Sequence, residues 1–174
     1  LTASSLRRVD QEAELQVERT SEELQDGYLV GYSVPEMAER VYNVLRATGA
    51  MARPLAELIV FFGHGASSVN NPYFAAYDCG ACSGKPGAPN ARAFALMANR
   101  PDVRALVREK GFEIGDKTWF VGGLHDTTRD EVQYYELDRV PEHLRAKLGK
   151  FQADMEAALA RNAKERCVKF VLID

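Results

Sequence analysis

The sequence is poor in cysteine and histidine and has no excess of positive charge. It contains three Cys and three His in 174 residues, and 22 Lys and Arg against 25 Asp and Glu give a net charge of −3. A nucleic-acid-binding protein needs a basic surface for phosphate contacts, so the charge argues against a nucleic-acid partner. An odd number of cysteines fits a reducing compartment better than a framework of disulfides.

Long apolar runs are also missing. No run approaches the roughly 18 residues that span a bilayer, and the opening stretch, LTASSLRRVDQEAEL, has no apolar signal-peptide region. With 46% apolar and 27% charged residues the chain can still bury a core, and its length predicts about one domain. The first residue is Leu rather than Met, so we expect the chain to be a piece of something longer.

The residue patterns predict an α/β domain over residues 27–174, with a partly parallel sheet and flanking helices, preceded by a helical or partly ordered arm over residues 1–26. The apolar run LAELIVFFG predicts a central strand covered on both faces. Asn90 is expected to cap the second helix, and Pro35 and Pro101 suit first helical turns. Strands are predicted at 55–63, 116–126, 131–138 and 167–174, and helices at 35–49, 90–99, 101–111 and 141–166.

The segment between Gly63 and Asn90 contains five Gly, three Pro and three Asn, and no helix or strand of normal length is expected there. Long irregular loops in compact domains are usually functional or disordered. This one carries aromatic residues and two cysteines, which disfavours disorder. We therefore expect the functional site in this loop and at the strand end before it.

The stretch IVFFGHGASSVNNPYFAAYDCGACSG places an imidazole and two thiols close together in sequence. Its strand ends in Gly63-His64-Gly65, at the sheet edge where open α/β sheets bind ligands. Cys79 follows fifteen residues after His64, and both ligand types suit zinc. Two ligands do not complete a zinc site. The candidates for the others within the chain are Cys82, His125, Asp78, Asp126 and Cys167.

Plainer interpretations stay open on spacing alone. His64 can be a hydrogen-bonded histidine, and the cysteines can be small hydrophobic residues. CGAC has the thioredoxin spacing, but SGKPGAPN after Cys82 cannot begin the helix that such chemistry uses. A phosphate-binding loop fails, because Cys79 stands where that motif needs Gly and Pro86 where it needs Ser or Thr.

A second polar cluster, GGLHDTTRDE, follows the second predicted strand. Its His125 and Asp126 suit a second ligand set, a proton relay or plain turn formation, and turn formation is slightly favoured. The third histidine, His143, is expected to be exposed in the first turn of the last helix.

The stretch GHGASSVNNPYFAAYDCGACSGKPGAPNAR resembles the signature of the DabA family, the large soluble subunit of a two-component inorganic carbon transporter. The family is similar to β-type carbonic anhydrases and was formerly a domain of unknown function. The resemblance covers roughly residues 28–166 and implies half of a β-carbonic-anhydrase-like domain. It implies that His64 and Cys79 are zinc ligands. The family's other two ligands, a Cys-x-Asp pair, lie upstream, and no Cys precedes position 79 here.

For the full-length protein, the resemblance implies zinc-dependent conversion of CO2 to bicarbonate at the cytoplasmic side of the bacterial inner membrane. A peripheral subunit would act there with an integral-membrane, ion-translocating partner. Since this chain holds only two of the four ligands, we expect it to be inactive alone and to self-associate through uncovered apolar surface. The residues expected to shape the pocket or its loop are Gly63, Gly65, Asn70, Asn71, Asp78, Cys82, Asn90, Arg92, His125 and Asp126.

Two functions of other classes remain as alternatives. The chain could be a metal-free scaffold whose sheet edge and loop dock a partner or the rest of its own protein. Less favoured is a thiol redox protein that uses Cys79 and Cys82, which predicts a reversible disulfide and no metal.

Overall fold

The computed structural model describes residues 14–66, 78 and 84–168. These residues form four helices and three strands. In chain order they are α1 (Val34–Ala47), β1 (Leu58–Gly65), α2 (Ala88–Ala98), α3 (Pro101–Glu109), β2 (Trp119–Asp126), β3 (Glu131–Tyr134) and α4 (Glu142–Val168), with short 3-10 turns at Ala50–Ala52 and Leu137–Arg139.

The strands make one mixed sheet in the order β1-β2-β3. β1 runs parallel to β2, with Leu58 opposite Trp119 and Gly65 opposite Asp126. β2 runs antiparallel to β3. The predicted α/β class with a partly parallel sheet is therefore confirmed.

Helices cover both faces of the sheet. Successive residues of a strand point to opposite faces, so each strand contributes side chains to both layers of packing. Ile59, Phe61 and Phe120 face the larger core with α1, α2 and α3, where the rings of Phe61 and Phe94 lie 4.5 Å apart. Leu58, Val60 and Val121 face α4, whose contribution is Leu144 and Leu148. We call the side of the sheet that packs against α1, α2 and α3 the α2 face, and the side that packs against α4 the α4 face.

Glycines allow α2 to approach the sheet at backbone distance. A Cβ atom on Gly63 would lie 2.3 Å from the carbonyl carbon and oxygen of Gly87. A Cβ atom on Gly122 would lie 2.9 Å from Cα of Arg92. No side chain fits at these distances, so the start of α2 rests directly on the carboxyl-terminal half of the parallel pair.

Several predicted boundaries shift. β1 begins at Leu58, β2 at Trp119, and β3 ends at Tyr134. Asn90 is not a cap: α2 begins at Ala88 with Gly87 in the N-cap position. Pro35 and Pro101 do occupy first turns, as predicted.

Two larger expectations differ from the described structure. β1 is not central in the described sheet but lies at its edge, beside β2 alone. The terminal strand is not observed at Cys167 and Val168, which belong to α4; residues 169–174 lie outside the described part.

The described part of the N-terminal arm, residues 14–26, contains no helix. This segment is extended, with bridges between Glu18 and Tyr32 and between Gln25 and Tyr28. Val17 and Tyr32 pack against the core of the α2 face. No helix in the described ranges is long and apolar enough to cross a membrane.

The glycine contacts give a direct test of the packing. Gly122→Ala should destabilise the fold by about 1–3 kcal/mol, because the new methyl group overlaps the α2 backbone. Gly149→Ala is the control: it lies within α4 with nothing inside 4 Å of the added atom, and alanine should stabilise the helix by about 0.5–1 kcal/mol. Denaturant unfolding measures both, and equal stability of the two variants would contradict the packing described here.

Candidate functional site

The parallel register brings two of the three histidines together. His64 of β1 is the register partner of His125 of β2, at the carboxyl ends of both strands. Strand alternation puts His64 on the same face as Val60, and His125 on the same face as Val121. Both imidazoles therefore leave the sheet on the α4 face, and His64 is exposed.

The backbone around His64 is held from two sides. The His64 carbonyl accepts a 2.7 Å hydrogen bond from the Gly87 N–H at the start of α2. The next carbonyl, that of Gly65, accepts from the Thr127 N–H at 2.9 Å and from the Thr127 hydroxyl at 3.2 Å. The strand end that carries His64 is thus fixed both to α2 and to the turn after β2.

A third hydrogen bond joins this strand end to the long loop. The buried carboxylate of Asp78 accepts the N–H of Ala66 at 2.7 Å. Ala66 lies two residues after His64, and Asp78 immediately precedes Cys79. The described part of the loop therefore returns to the end of β1 directly before Cys79.

His125 lies beside a charged pair. Its Nε2 atom lies 3.7 Å from one carboxylate oxygen of Asp130, and Arg166 of α4 forms an ion pair with the other oxygen. Asp130 has a left-handed backbone with φ of 55°. The far end of α4 is therefore tied to the turn beside His125. Among the described residues, His125 Nε2 is buried and makes no hydrogen bond.

Asp126 serves the turn between β2 and β3. One of its carboxylate oxygens accepts the N–H groups of Thr128 at 3.1 Å and Arg129 at 3.3 Å. This is the local bonding by which Asp commonly stabilises a turn. The favoured interpretation of Asp126 as a turn former agrees with this geometry.

Arg92 lies on the α2 face, opposite the two imidazoles. Its buried guanidinium forms an ion pair with Glu136 through Nε and Nη2 and stands 5.0 Å from the ring centre of Tyr135. Burial raises the pKa of Tyr135, an effect that Arg92 opposes. Arg92 therefore fastens α2 to the chain after β3. Asn90 lies inside the first turn of α2.

An aromatic cluster next to the histidines was not predicted as part of the site. Phe62, Tyr134 and Phe151 have ring centres 6.0 to 6.4 Å apart on the α4 face. A Cβ atom on Gly123, the register partner of Phe62, would lie 2.7 Å from the Phe62 ring. The cluster covers this face of the sheet two register pairs before His64 and His125.

Tyr134 brings a hydroxyl group into this cluster. Burial raises its pKa, and the negative charge of Glu156 raises it further. The period-two spacing of Phe62 and His64 in the sequence was the signal that both share a face; nothing in the sequence placed Phe151 above them.

The remaining predicted site residues fall into two groups. Gly63 and Gly65 flank His64 in β1, and Cys167 is exposed near the end of α4. Cys79, Cys82, Asn70 and Asn71 lie outside the described residues. Within residues 14–66, 78 and 84–168, no three His, Cys, Asp or Glu side chains are grouped closely enough to hold a metal ion.

The fold and this strand end define an α/β protein with a histidine pair at the carboxyl edge of a parallel strand pair. The profile of the family described as "Probable inorganic carbon transporter subunit DabA" matches residues 2–173. The chain belongs to the DabA family. No solved structure matches it.

Curated relatives bear the same family name. Those from Azotobacter vinelandii and Nitrosospira multiformis are 47% and 43% identical over 100% and 99% of this chain. A second form from Rhodopirellula baltica is 49% identical over 81% of it. The chain spans only 21%, 19% and 13% of these three proteins.

The hydrogen bond from the Ala66 N–H to the Asp78 carboxylate can be tested by substitution. Asp78→Ala should destabilise the protein by about 1–3 kcal/mol, because it removes the acceptor from the buried Ala66 N–H. Asp78→Asn keeps an oxygen acceptor of the same shape and should cost less. Thermal and denaturant unfolding rank the two. If Asp78→Ala is no less stable than Asp78→Asn, the carboxylate does not hold the strand end.

Proposed function

We propose that this chain supplies His64 and Cys79 to the zinc site of an inorganic carbon transporter subunit that converts CO2 to bicarbonate. The family name of its relatives supports the transport role. The chain spans about a fifth of the first two of those proteins, so the activity is proposed for the full-length protein.

The observation that carries the proposal is the closure of the loop on the His64 strand end. The Asp78 carboxylate bonds the Ala66 N–H, which fixes the residue before Cys79 beside the end of β1. An exposed imidazole at that end, flanked by two glycines, has room for a ligand to approach. The sequence separation of fifteen residues is thereby compatible with a shared site.

The donor set fits zinc in type. An imidazole and a thiolate are both common zinc ligands, and a site needs three or four in all. The described residues do not provide that number, so further ligands must come from outside them. When bound, zinc acts as a Lewis acid that lowers the pKa of water.

The other residues of the strand end have supporting roles. The Nε2 atom of His125 lies 3.7 Å from Asp130, which is paired with Arg166 through its second oxygen. We assign His125 to shaping the pocket beside His64. Phe62, Tyr134 and Phe151 pack against one another next to the pair, on the same face of the sheet. Gly87 and Thr127 hold the backbone that carries the His64 side chain.

The proposed partner is an integral-membrane, ion-translocating subunit, and the proposed location is the cytoplasmic face of the inner membrane. The support is that the relatives are named as subunits of a transporter. Coupling of hydration to ion movement would let bicarbonate accumulate.

Zinc content of the full-length protein tests the proposal. His64→Ala and Cys79→Ala should each lose most of the bound zinc and the CO2 hydration activity of the complex, because each removes a ligand. His143→Ala is the matched control, since His143 is exposed on α4 near Glu57, at the opposite end of β1. Elemental analysis after desalting measures the metal, and stopped-flow pH change measures hydration.

Full zinc content in both His64→Ala and Cys79→Ala would contradict the assignment of these ligands. Zinc loss in the His143→Ala control would show that folding, not ligation, is being measured. Retained zinc with lost activity would separate metal binding from the reaction.

A further inference from the structure

The strand β1 has an unusual combination of sequence and position. Residues Leu58–Phe62, LIVFF, contain no charge and no proline, as a central strand of an α/β sheet does. Yet β1 is at the edge of the described sheet, and its residues Leu58–Gly63 are only half-buried. In β2, by comparison, Phe120 and Val121 are 1% and 2% exposed.

The hydrogen bonds to β2 show which backbone groups of β1 point outward. The carbonyls of Glu57 and Gly65 accept from Trp119 and Thr127, on the β2 side. Because N–H and C=O groups alternate in direction along a strand, odd-numbered residues face β2 and even-numbered residues face away. The outward groups are therefore those of Leu58, Val60, Phe62 and His64.

Within the described residues, the outward edge has a hydrogen-bond partner at one end only. The His64 carbonyl is taken by the Gly87 N–H at 2.7 Å. The N–H and C=O groups of Leu58, Val60 and Phe62 have no strand partner in the described part of the chain, where β1 pairs with β2 alone. Unpaired groups on an uncharged, apolar edge strand are a template for another strand, and proteins normally protect such edges with charge, proline or cover.

We propose that a β-strand from the remainder of the full-length polypeptide pairs with the outer edge of β1 along Leu58–Phe62. The chain spans 21% and 19% of its Azotobacter and Nitrosospira relatives, so about four-fifths of such a protein is available to supply it. A segment of the same polypeptide has an effective concentration that a separate molecule lacks. This makes it a stronger occupant than a second copy of the chain.

The geometry also limits where the added strand ends. Gly87 occupies the His64 carbonyl, so pairing stops at Phe62. Whichever direction the strand runs, one of its ends lies beside the strand end that carries His64. The proposal goes beyond the proposed function, because it concerns assembly of the sheet and holds whether or not zinc is bound.

Hydrogen exchange of the full-length protein at single-residue resolution tests the proposal. The amides of Ile59 and Phe61 face β2 and serve as internal controls. If a strand is added, the outward amides of Val60 and Phe62 should exchange within about tenfold of these controls. Exchange of Val60 and Phe62 about a hundredfold or more faster than the controls would overturn the proposal.

A pair of variants in the full-length protein gives a second readout. Val60→Pro removes the outward N–H, and proline is tolerated at a free edge. Val60→Ala is the control for the lost side chain. A melting temperature several degrees lower for Val60→Pro than for Val60→Ala supports an added strand; equal values overturn it.

Concentration distinguishes the source of the strand. Protection that is unchanged on dilution to the monomer supports a strand of the same polypeptide. Protection lost on dilution would assign the edge to a second copy and overturn the proposal as stated.

Discussion

The parallel pairing of β1 with β2, with α2 resting on its carboxyl-terminal half, is the constraint on which the candidate site depends. The register sets His64 beside His125, and the absence of side chains at Gly63 and Gly122 lets α2 come close enough for Gly87 to bond the His64 carbonyl. A shift of one residue in this register would move one imidazole to the opposite face. The site therefore follows from backbone packing before any side-chain chemistry enters.

The two faces of the sheet differ in the side chains that pack against them. On the α2 face, the buried pair of Arg92 with Glu136 ties a helix to the chain after β3, in a region already closed by the larger core. On the α4 face, apolar packing by Leu144 and Leu148 gives way toward the strand ends to aromatic rings and then to the histidines. Near the carboxyl-terminal end of α4, Arg166 forms an ion pair with Asp130, next to the histidines.

Much of the fold could be predicted because the signals were local. Proline in a first turn, glycine after a helix and the apolar run of β1 each act within a few residues, and the helices with Pro35 and Pro101 were found on that basis. The edge position of β1 could not be predicted, since an apolar strand looks central whether its neighbour lies within this chain or elsewhere. The N-cap at Gly87 was missed because the close contact with Gly63 selects it, and that contact is long-range.

Only part of the site could be predicted, because the rest depends on long-range contacts. His64 was recognised from its position after a strand, but its pairing with His125 depends on register, which the sequence does not state. The DabA resemblance supplied the zinc assignment of His64 and Cys79, and the match of the family to residues 2–173 confirms the resemblance, while the ligand roles remain a proposal. X-ray absorption at the zinc edge of the full-length protein tests these two ligands. We expect sulfur at about 2.3 Å and imidazole nitrogen at about 2.0–2.1 Å, with the imidazole signal weakened in His64→Ala. A shell without sulfur, or one unchanged by His64→Ala, would contradict this expectation.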